Sequence, residues 1–222
     1  SYKICSEVSE ELKLTNIDDI SSTKILFNKN EFRRFCNENK IPAPKYYDVE
    51  ELLNINSSKQ FQVIIKPIDS YSGKGISKLD ANDCDELLNA IKTAKKVSKD
   101  GNCVIEQFVD GMLFSHSAFI SDNKIVKDFI VEEYGSVNSF AVDTSSVIYD
   151  FPKNIQDEIR SNIELISNKL NLKDGLIHTQ FIYNGSEFWF IEITRRCPGD
   201  CYSRLIELST GFDYSKIYTQ YL

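Results

Sequence analysis

Apolar positions recur along this chain with two different periods, and the changes of period divide it. From Asn28 to about Asn39 they fall at helical spacing, with Phe32, Phe35 and Cys36 on one face. The pattern stops before Ile41-Pro42-Ala43-Pro44, because a residue preceding proline is pushed out of the helical region. Phe61–Pro67 (FQVIIKP) is β-branched and apolar and predicts a strand. The loop Asp69-Ser70-Tyr71-Ser72-Gly73-Lys74-Gly75 follows, then a short strand around Ile76–Leu79. A helix is predicted from about Asn82 to Ser98, with Leu87, Leu88, Ile91 and Ala94 on its buried stripe, and then a strand over Cys103–Val109.

Beyond it, period-two alternation predicts strands at about 113–121 and 124–133, joined at Asp122-Asn123. The stretch 134–152 looks irregular. A helix follows from about Asn154 to Leu170, its face set by Ile155, Ile159, Ile163, Ile166 and Leu170. A hairpin of strands 176–183 and 187–194 turns at Asn184-Gly185 and leads into Arg195-Arg196-Cys197-Pro198-Gly199-Asp200, after which two short helices close the chain. Strands with segregated helices predict an α+β fold. Residues 1–22 give an amphipathic piece and a polar turn (NIDDISST), expected to be the tail of a missing upstream domain or subunit. The expected divisions are 1–22, a connecting helix at 23–42, a lid lobe at 43–107 and a C-terminal lobe at 108–222.

Composition narrows the classes. With 222 residues, 41% of them hydrophobic, the chain can bury a sizeable core. Its net charge of −7, from 26 basic and 33 acidic residues, argues against nucleic acid or an anionic membrane as partner. No apolar run approaches the roughly 20 residues of a membrane span, and the start resembles no signal peptide. The six cysteines are scattered without CxxC pairs, and no histidine lies near Cys197 and Cys201 to complete a metal set. Reduced thiols and a cytoplasmic location are expected.

Candidate chemistry gathers at a few places. Ser70 to Gly75 offers small residues, hydroxyls and free backbone N–H groups, which suits a polyphosphate, although a plain hairpin turn explains it as well. It is neither a Walker loop nor a dinucleotide fingerprint, since Ile68 takes the upstream glycine position and no third glycine opens a helix. Lys66 ends a strongly apolar strand four residues before the loop, where a buried ammonium calls for an anion; reaching solvent is the alternative. Period two puts Glu192 and Thr194 on one strand face, joined by Arg196 if the strand continues. Gln180 lies on the partner strand. Oxygen ligands from adjacent strands suit magnesium held with phosphates. A strict two-residue turn at Asn184-Gly185 would set Gln180 and Glu192 on opposite faces, so this reading requires an odd-length loop or a bulge. Arg195 and Arg196 beside a Pro-Gly turn suggest a guanidinium presented to phosphate or carboxylate; a solvated charge pair is the alternative. His116 and His178 are the only histidines, and for each a structural role is favoured over a catalytic one.

In order, FNKNEFRRFCNENKIPAPKYY, VIIKPIDSYSGKGIS, VIEQFVDG and GLIHTQFIYNGSEFWFIEITRRCPGD, followed by LIELSTGFDY, resemble the ATP-grasp enzymes, in particular the carbamoyl-phosphate synthase large chain and biotin carboxylase group. The resemblance covers about 23–222. It implies two α+β lobes of mostly antiparallel sheet with a nucleotide cleft between them, and an ATP-dependent carboxylate-amine or carboxylate-thiol ligase that passes through an acyl phosphate. It also implies ATP with Mg2+ or Mn2+, and small carboxylate and amine substrates. By resemblance Lys29 and Lys66 contact the phosphates, and Ser70, Ser72, Gly73, Lys74 and Gly75 belong to the loop closing over them. Glu106, Gln107, Phe108 and Val109 hold adenine, Gln180 and Glu192 ligate metal, and Arg196 stabilises the transferred charge. Three positions depart from the group. Thr194 stands where a metal-binding Asn is usual, Arg195 replaces a Pro, and Leu113 takes the place of an acidic residue near the ribose. An ATP-binding module without turnover of its own is the alternative, and an α+β domain with coincidental motifs a third reading.

Overall fold

Asp19 shows how local chemistry starts the fold: its carboxylate accepts the Ser22 N–H at 2.7 Å and caps a helix. The computed structural model describes residues 2–54, 61–70, 73–199 and 201–221. Three helices come first, α1 (Tyr2–Leu12), α2 (Ile20–Phe27) and α3 (Lys29–Glu38). The expected polar turn NIDDISST is therefore half helix, and α2 runs across the expected division between 1–22 and 23–42. Asn28 caps α3 by accepting from the N–H groups of Asn30 and Glu31.

The first sheet holds β1 (Tyr46–Tyr47), β2 (Gln62–Pro67), β3 (Ser77–Asp80) and β4 (Cys103–Gln107) in the order β1-β4-β2-β3, all antiparallel. It packs against α4 (Val49–Asn54) and α5 (Cys84–Val97). Neither β1 nor α4 is legible in the sequence, since each is too short to show a period. Leu87, Ile91 and Ala94 are buried on α5 as expected, with Ala90 beside them, but Leu88 is 49% exposed. One residue advances a helix by about 100°, so Leu88 cannot share the stripe of Leu87.

The second sheet holds β5 (Met112–Ser121), β6 (Lys124–Tyr134), β7 (Thr144–Ile148), β8 (Gly175–Tyr183) and β9 (Phe188–Thr194), ordered β7-β6-β5-β8-β9. Asp122 (φ 50°) and Asn123 (φ 60°) take the left-handed conformations that a tight β5–β6 turn demands. Part of the stretch 134–152 expected to be irregular is the edge strand β7; its Ser/Thr-rich sequence has little hydrophobic signal, and pairing with β6 supplies the order. The long isoleucine face of α6 (Lys153–Lys169) covers one side of this sheet, with α2 and α3 beside it. Two helices, α7 (Tyr202–Thr210) and α8 (Tyr214–Gln220), cover part of the other, where Tyr202, Ile206 and Tyr214 meet Phe119, Phe129, Val131 and Leu176. Among the described residues no helix is long and apolar enough to cross a membrane.

The β8–β9 hairpin resolves the register question. Tyr183, Ile182 and Phe181 face Phe188, Trp189 and Phe190, and then the register shifts so that Gln180 faces Glu192. Ile191 is the extra residue. Were the register unshifted, with Ile191 paired to Gln180, Glu192 would stand opposite Thr179, on the α6 side of the sheet.

Candidate active site

Helical spacing places Lys29 and Arg33 one turn apart on α3, facing the first sheet. The Lys29 ammonium donates to the Ser70 carbonyl at 3.3 Å, which brings it to the glycine loop. Arg33, which the sequence reading passed over, is 1% exposed and reaches Glu106 on β4, its Nε 2.8 Å from Oε1. On the other carboxylate oxygen, the Lys66 ammonium donates at 2.7 Å. Lys66 is 6% exposed and Glu106 fully buried. Burial alone would raise the Glu106 carboxyl; Arg33 and Lys66 together hold it below the usual range. Lys66 in turn is held below the ordinary lysine value, by burial first and by the Arg33 and Lys29 charges beside it.

Two cations and one anion share this buried space, so it carries an excess positive charge. Such a charge is costly without a further anion. Lys29 adds to the excess, and the loop lies alongside. Gly73 and Gly75 take φ of +70° and +73°, which favours glycine, and the Ser70 hydroxyl donates to the Lys74 carbonyl at 2.9 Å. A Cβ on Gly73 would come within 3.0 Å of the Asn138 side chain and the Phe140 carbonyl, so the loop lies against the connection between β6 and β7. Tyr71, Ser72 and Asp200 lie outside the described residues.

The backbone of the segment after Glu106 is partly committed. The Gln107 N–H donates to the Lys45 carbonyl at 2.7 Å and the Phe108 N–H to the Gln62 carbonyl at 2.9 Å. The Glu106 carboxylate is engaged by its two cations. Any adenine contact therefore falls to other atoms of the segment, unless those bonds are exchanged. Val109 is buried, and the Phe108 ring carries the Lys78 ammonium 3.6 Å from its centroid.

On the second sheet Gln180 and Glu192 face each other, on the side away from α6. The Gln180 amide donates through Nε2 to Glu133 at 2.6 Å, which leaves the carbonyl oxygen as the atom of its side chain that could meet a ligand. Glu133 was not anticipated; period-two pairing of β6 with β5 is the signal that could have placed it. Glu192 is exposed, while Thr194 keeps a buried hydroxyl with no hydrogen-bond partner. Among the described residues no group of three or more His, Cys, Asp or Glu side chains is placed to hold a metal ion. Two or three oxygen donors on one strand pair suit magnesium only where phosphates complete the octahedron.

The two arginines of the RRCPGD segment separate completely. Arg195 is buried: its Nε donates to Asp18 at 2.8 Å and its terminal nitrogens to the carbonyls of Leu176 and Lys173 at 2.7 and 2.5 Å. It ties the chain before α2 to the second sheet and presents nothing to a ligand, which corrects that half of the sequence expectation. Arg196 is exposed, and its charge is felt by His178. His178 is sealed under Tyr202, with Nδ1 2.8 Å from the Ser117 hydroxyl and the two rings edge to face. Burial first, then electrostatic interaction with the neighbouring His116 and Arg196, pushes its pKa down to about 3. His116 lies on the opposite face of the sheet, where Nε2 is 2.9 Å from Asp128 and Arg160 holds the other oxygen of that carboxylate. Leu113 faces Glu133 and Ile182 across its neighbouring strands.

Lys66 and Glu192 are connected through Arg33. Its Nη2 donates at 2.6 Å to the carbonyl of Ile191, the bulged residue next to Glu192. A separate hollow of about 400 Å3, lined by Phe114, Glu132, Phe151 and Tyr183 among others, lies on the α6 side and takes none of these side chains.

Comparison with known proteins follows the same lines. A family model described as an ATP-grasp domain matches residues 59–204. The carbamoyl phosphate synthase large chain of Sulfurisphaera tokodaii is 24% identical over 173 residues, covering 76% of this chain and 16% of that protein. The D-alanine–D-alanine ligase of Fusobacterium nucleatum is 26% identical over 202 residues, covering 88% of this chain and 65% of the relative. Among solved structures, the L-amino acid ligase of Bacillus licheniformis superposes with a TM-score of 0.77 at 19% identity, over 98% of this chain and 52% of that one. The biotin carboxylase domain of the Hydrogenobacter thermophilus 2-oxoglutarate carboxylase, in complex with MgADP and bicarbonate, gives 0.79 at 14% identity, over 98% and 50%. The chain thus spans about a sixth of the synthase and about half of these structural neighbours.

Proposed function

This chain belongs to the ATP-grasp family, and on that premise we propose that it binds Mg-ATP between its two sheets as the nucleotide domain of a carboxylate-amine or carboxylate-thiol ligase. The observation that carries the reading is the buried excess of positive charge at Arg33, Lys66 and Glu106, linked through the Ile191 bulge to the facing pair Gln180 and Glu192. A polyphosphate supplies the anion that the first group lacks and the oxygens that the second group lacks.

In this reading Lys29, Lys66 and the loop from Ser70 to Gly75 hold phosphate oxygens. Gln180, Glu192 and Thr194 hold Mg2+, or Mn2+, which meets the same oxygen donors. The unpartnered Thr194 hydroxyl fits a ligand in the position where relatives use an amide. Adenine lies along Glu106 to Val109. The bound nucleotide would supply its terminal phosphoryl group to a carboxylate, leaving ADP and an acyl phosphate, from which an attacking amine or thiol releases inorganic phosphate. The chain's own part is positioning and charge. Lys66 and Arg196 neutralise charge on the transferred group, and the loop excludes water. His178 is walled in by Tyr202 and Ser117 and its pKa is pushed down to about 3, so it is too weak and too enclosed to act as a general base here. Its ring holds up the strand that carries Gln180.

Titration calorimetry with Mg2+ and a non-hydrolysable ATP analogue tests binding, and ADP release on a panel of small carboxylates, amino acids included, tests turnover. Heat of binding with ADP release supports the ligase. Binding without release on any substrate supports a nucleotide-binding module. No heat and no thermal shift refutes both.

A further inference from the structure

The Arg33 side chain touches both halves of the candidate site. Through Nε it sits beside the Glu106 carboxylate of the first sheet, and through Nη2 it binds the Ile191 carbonyl of the second. Phe32 and Cys36 anchor its helix in the core under the second sheet, so the guanidinium is fixed on that side. The Phe190 N–H donates to the Pro42 carbonyl at 2.9 Å, a second anchor just before the bulge. Together these contacts hold β9 where its register shifts.

The charge arrangement has its own consequence. The Lys66 ammonium gives one of its three N–H donors to Glu106. A phosphate that takes the remaining donors also draws the ammonium charge toward itself, which leaves a fully buried carboxylate undercompensated if nothing else neutralises it. Arg33 remains at 2.8 Å, although its Nε and the facing Oε1 are not in hydrogen-bonding alignment and its Nη1 has no partner. A fork of five N–H donors can keep the bulge and take over the carboxylate together; a lysine cannot.

We propose that Arg33 is a positioning residue of this site: it holds the Ile191 bulge that sets Glu192 beside Gln180, and it keeps Glu106 compensated when Lys66 turns to phosphate. This rests on the nucleotide reading above. Arg33 does not touch the reacting atoms.

The test uses the 222-residue chain with Arg33→Met and Arg33→Lys, and reads ADP affinity without metal from pH 7 to 10.5, the Mg2+ dependence of analogue binding, and melting. Groups facing Lys66 are Glu106 on β4 and Arg33 and Lys29 on α3; the Cys36 thiol, beside Arg33 and Glu106, is pushed up to about 12 by burial. Phosphate requires a protonated Lys66, so affinity falls as pH rises through its depressed pKa. In Arg33→Met, Glu106 keeps Lys66 to itself, and metal-free ADP binds about thirty-fold more weakly at pH 7. Its alkaline limb moves to higher pH, because Lys66 has lost a neighbouring cation. Arg33→Lys recovers ADP affinity to within about three-fold but still needs about ten-fold more Mg2+, because it cannot also hold the bulge.

Wild-type affinity in Arg33→Met overturns the proposal. So does weaker binding with the alkaline limb unmoved, which is what a merely structural role gives. If Arg33→Met does not fold, Arg33→Met with Glu106→Gln carries the test: it binds metal-free ADP as tightly as Glu106→Gln alone, and a further ten-fold loss overturns the proposal. A wild-type chain that binds no ADP sinks the nucleotide reading and this inference with it. Wild-type binding with an indifferent Arg33→Met sinks only the inference.

Discussion

Glu192 stands directly across from Gln180 because one extra residue, Ile191, is bulged out of β9 between them and the turn. Two oxygen donors on neighbouring strands then point to the same side, away from α6, with Glu133 holding the amide nitrogen of Gln180. Bulges re-aim side chains, and here the re-aimed side chain is the exposed carboxylate of a strand whose neighbouring core positions, Phe188, Phe190 and Ile193, stay buried. The metal site proposed for the second sheet turns on that local shift.

Glu192→Gln should therefore separate metal binding from stability. Glu192 is exposed, so its melting temperature is expected to change by no more than about 0.5 kcal/mol of stability allows. The Mg2+ concentration for half-maximal analogue binding should rise at least ten-fold. A variant with an unchanged metal requirement would remove Glu192 from the metal site.

At the buried cations the order of damage is predictable. Glu106→Gln leaves Lys66 and Arg33 facing each other without an anion, at a cost of about 3–5 kcal/mol. A chain of this size then melts roughly 10 °C lower. Lys66→Ala leaves the Arg33–Glu106 pair intact and should cost less, about 1–2 kcal/mol, while abolishing ADP release. Thermal melts beside an ADP assay check both. Equal destabilisation by the two would mean that Arg33 does not compensate Glu106.

Adjacent arginines should behave oppositely. Arg195→Ala strands the buried carboxylate of Asp18 and frees the carbonyls of Leu176 and Lys173, for a loss of about 3–5 kcal/mol. Asp18→Asn should cost a similar amount, and the double change less than the sum. Arg196→Ala should leave the melt within about 0.5 kcal/mol of wild type and lower turnover by a hundred-fold or more. A destabilised Arg196→Ala, or an intact Arg195→Ala, would reverse the assignment.

Acid lability should trace partly to His178. Its pKa is about 3 when folded against 6.5 as a free side chain, so between those values the unfolded chain takes up a proton that the folded one refuses. The stabilising contribution is complete above pH 6.5 and drains away as pH falls toward 3, by up to about 1.4 kcal/mol per unit. Urea unfolding of His178→Asn and the wild type across pH 3.5–7 reads the difference. The variant should show the shallower slope; parallel curves would mean that His178 is solvated when folded.

The sequence alone determined the elements that declare themselves by period or punctuation. The strands of the β5–β6 and β8–β9 hairpins, the isoleucine stripe of α6, the stop of α3 before Pro42 and the Asp122-Asn123 turn are all local consequences of spacing and backbone preference. The four ordered segments also carried the family, and with it the residues around which a nucleotide is proposed to bind. Only the tertiary structure decided what each cation faces. Arg33, Arg195 and Arg196 are alike as letters, yet one bridges the two sheets, one is locked to Asp18 and one lies exposed at the surface. Likewise β7 exists because β6 offers it an edge, and Glu192 meets Gln180 because a bulge is pinned by Arg33 and Pro42. Period and propensity act over a few residues, whereas charge pairing and register are settled between segments that the chain sets far apart.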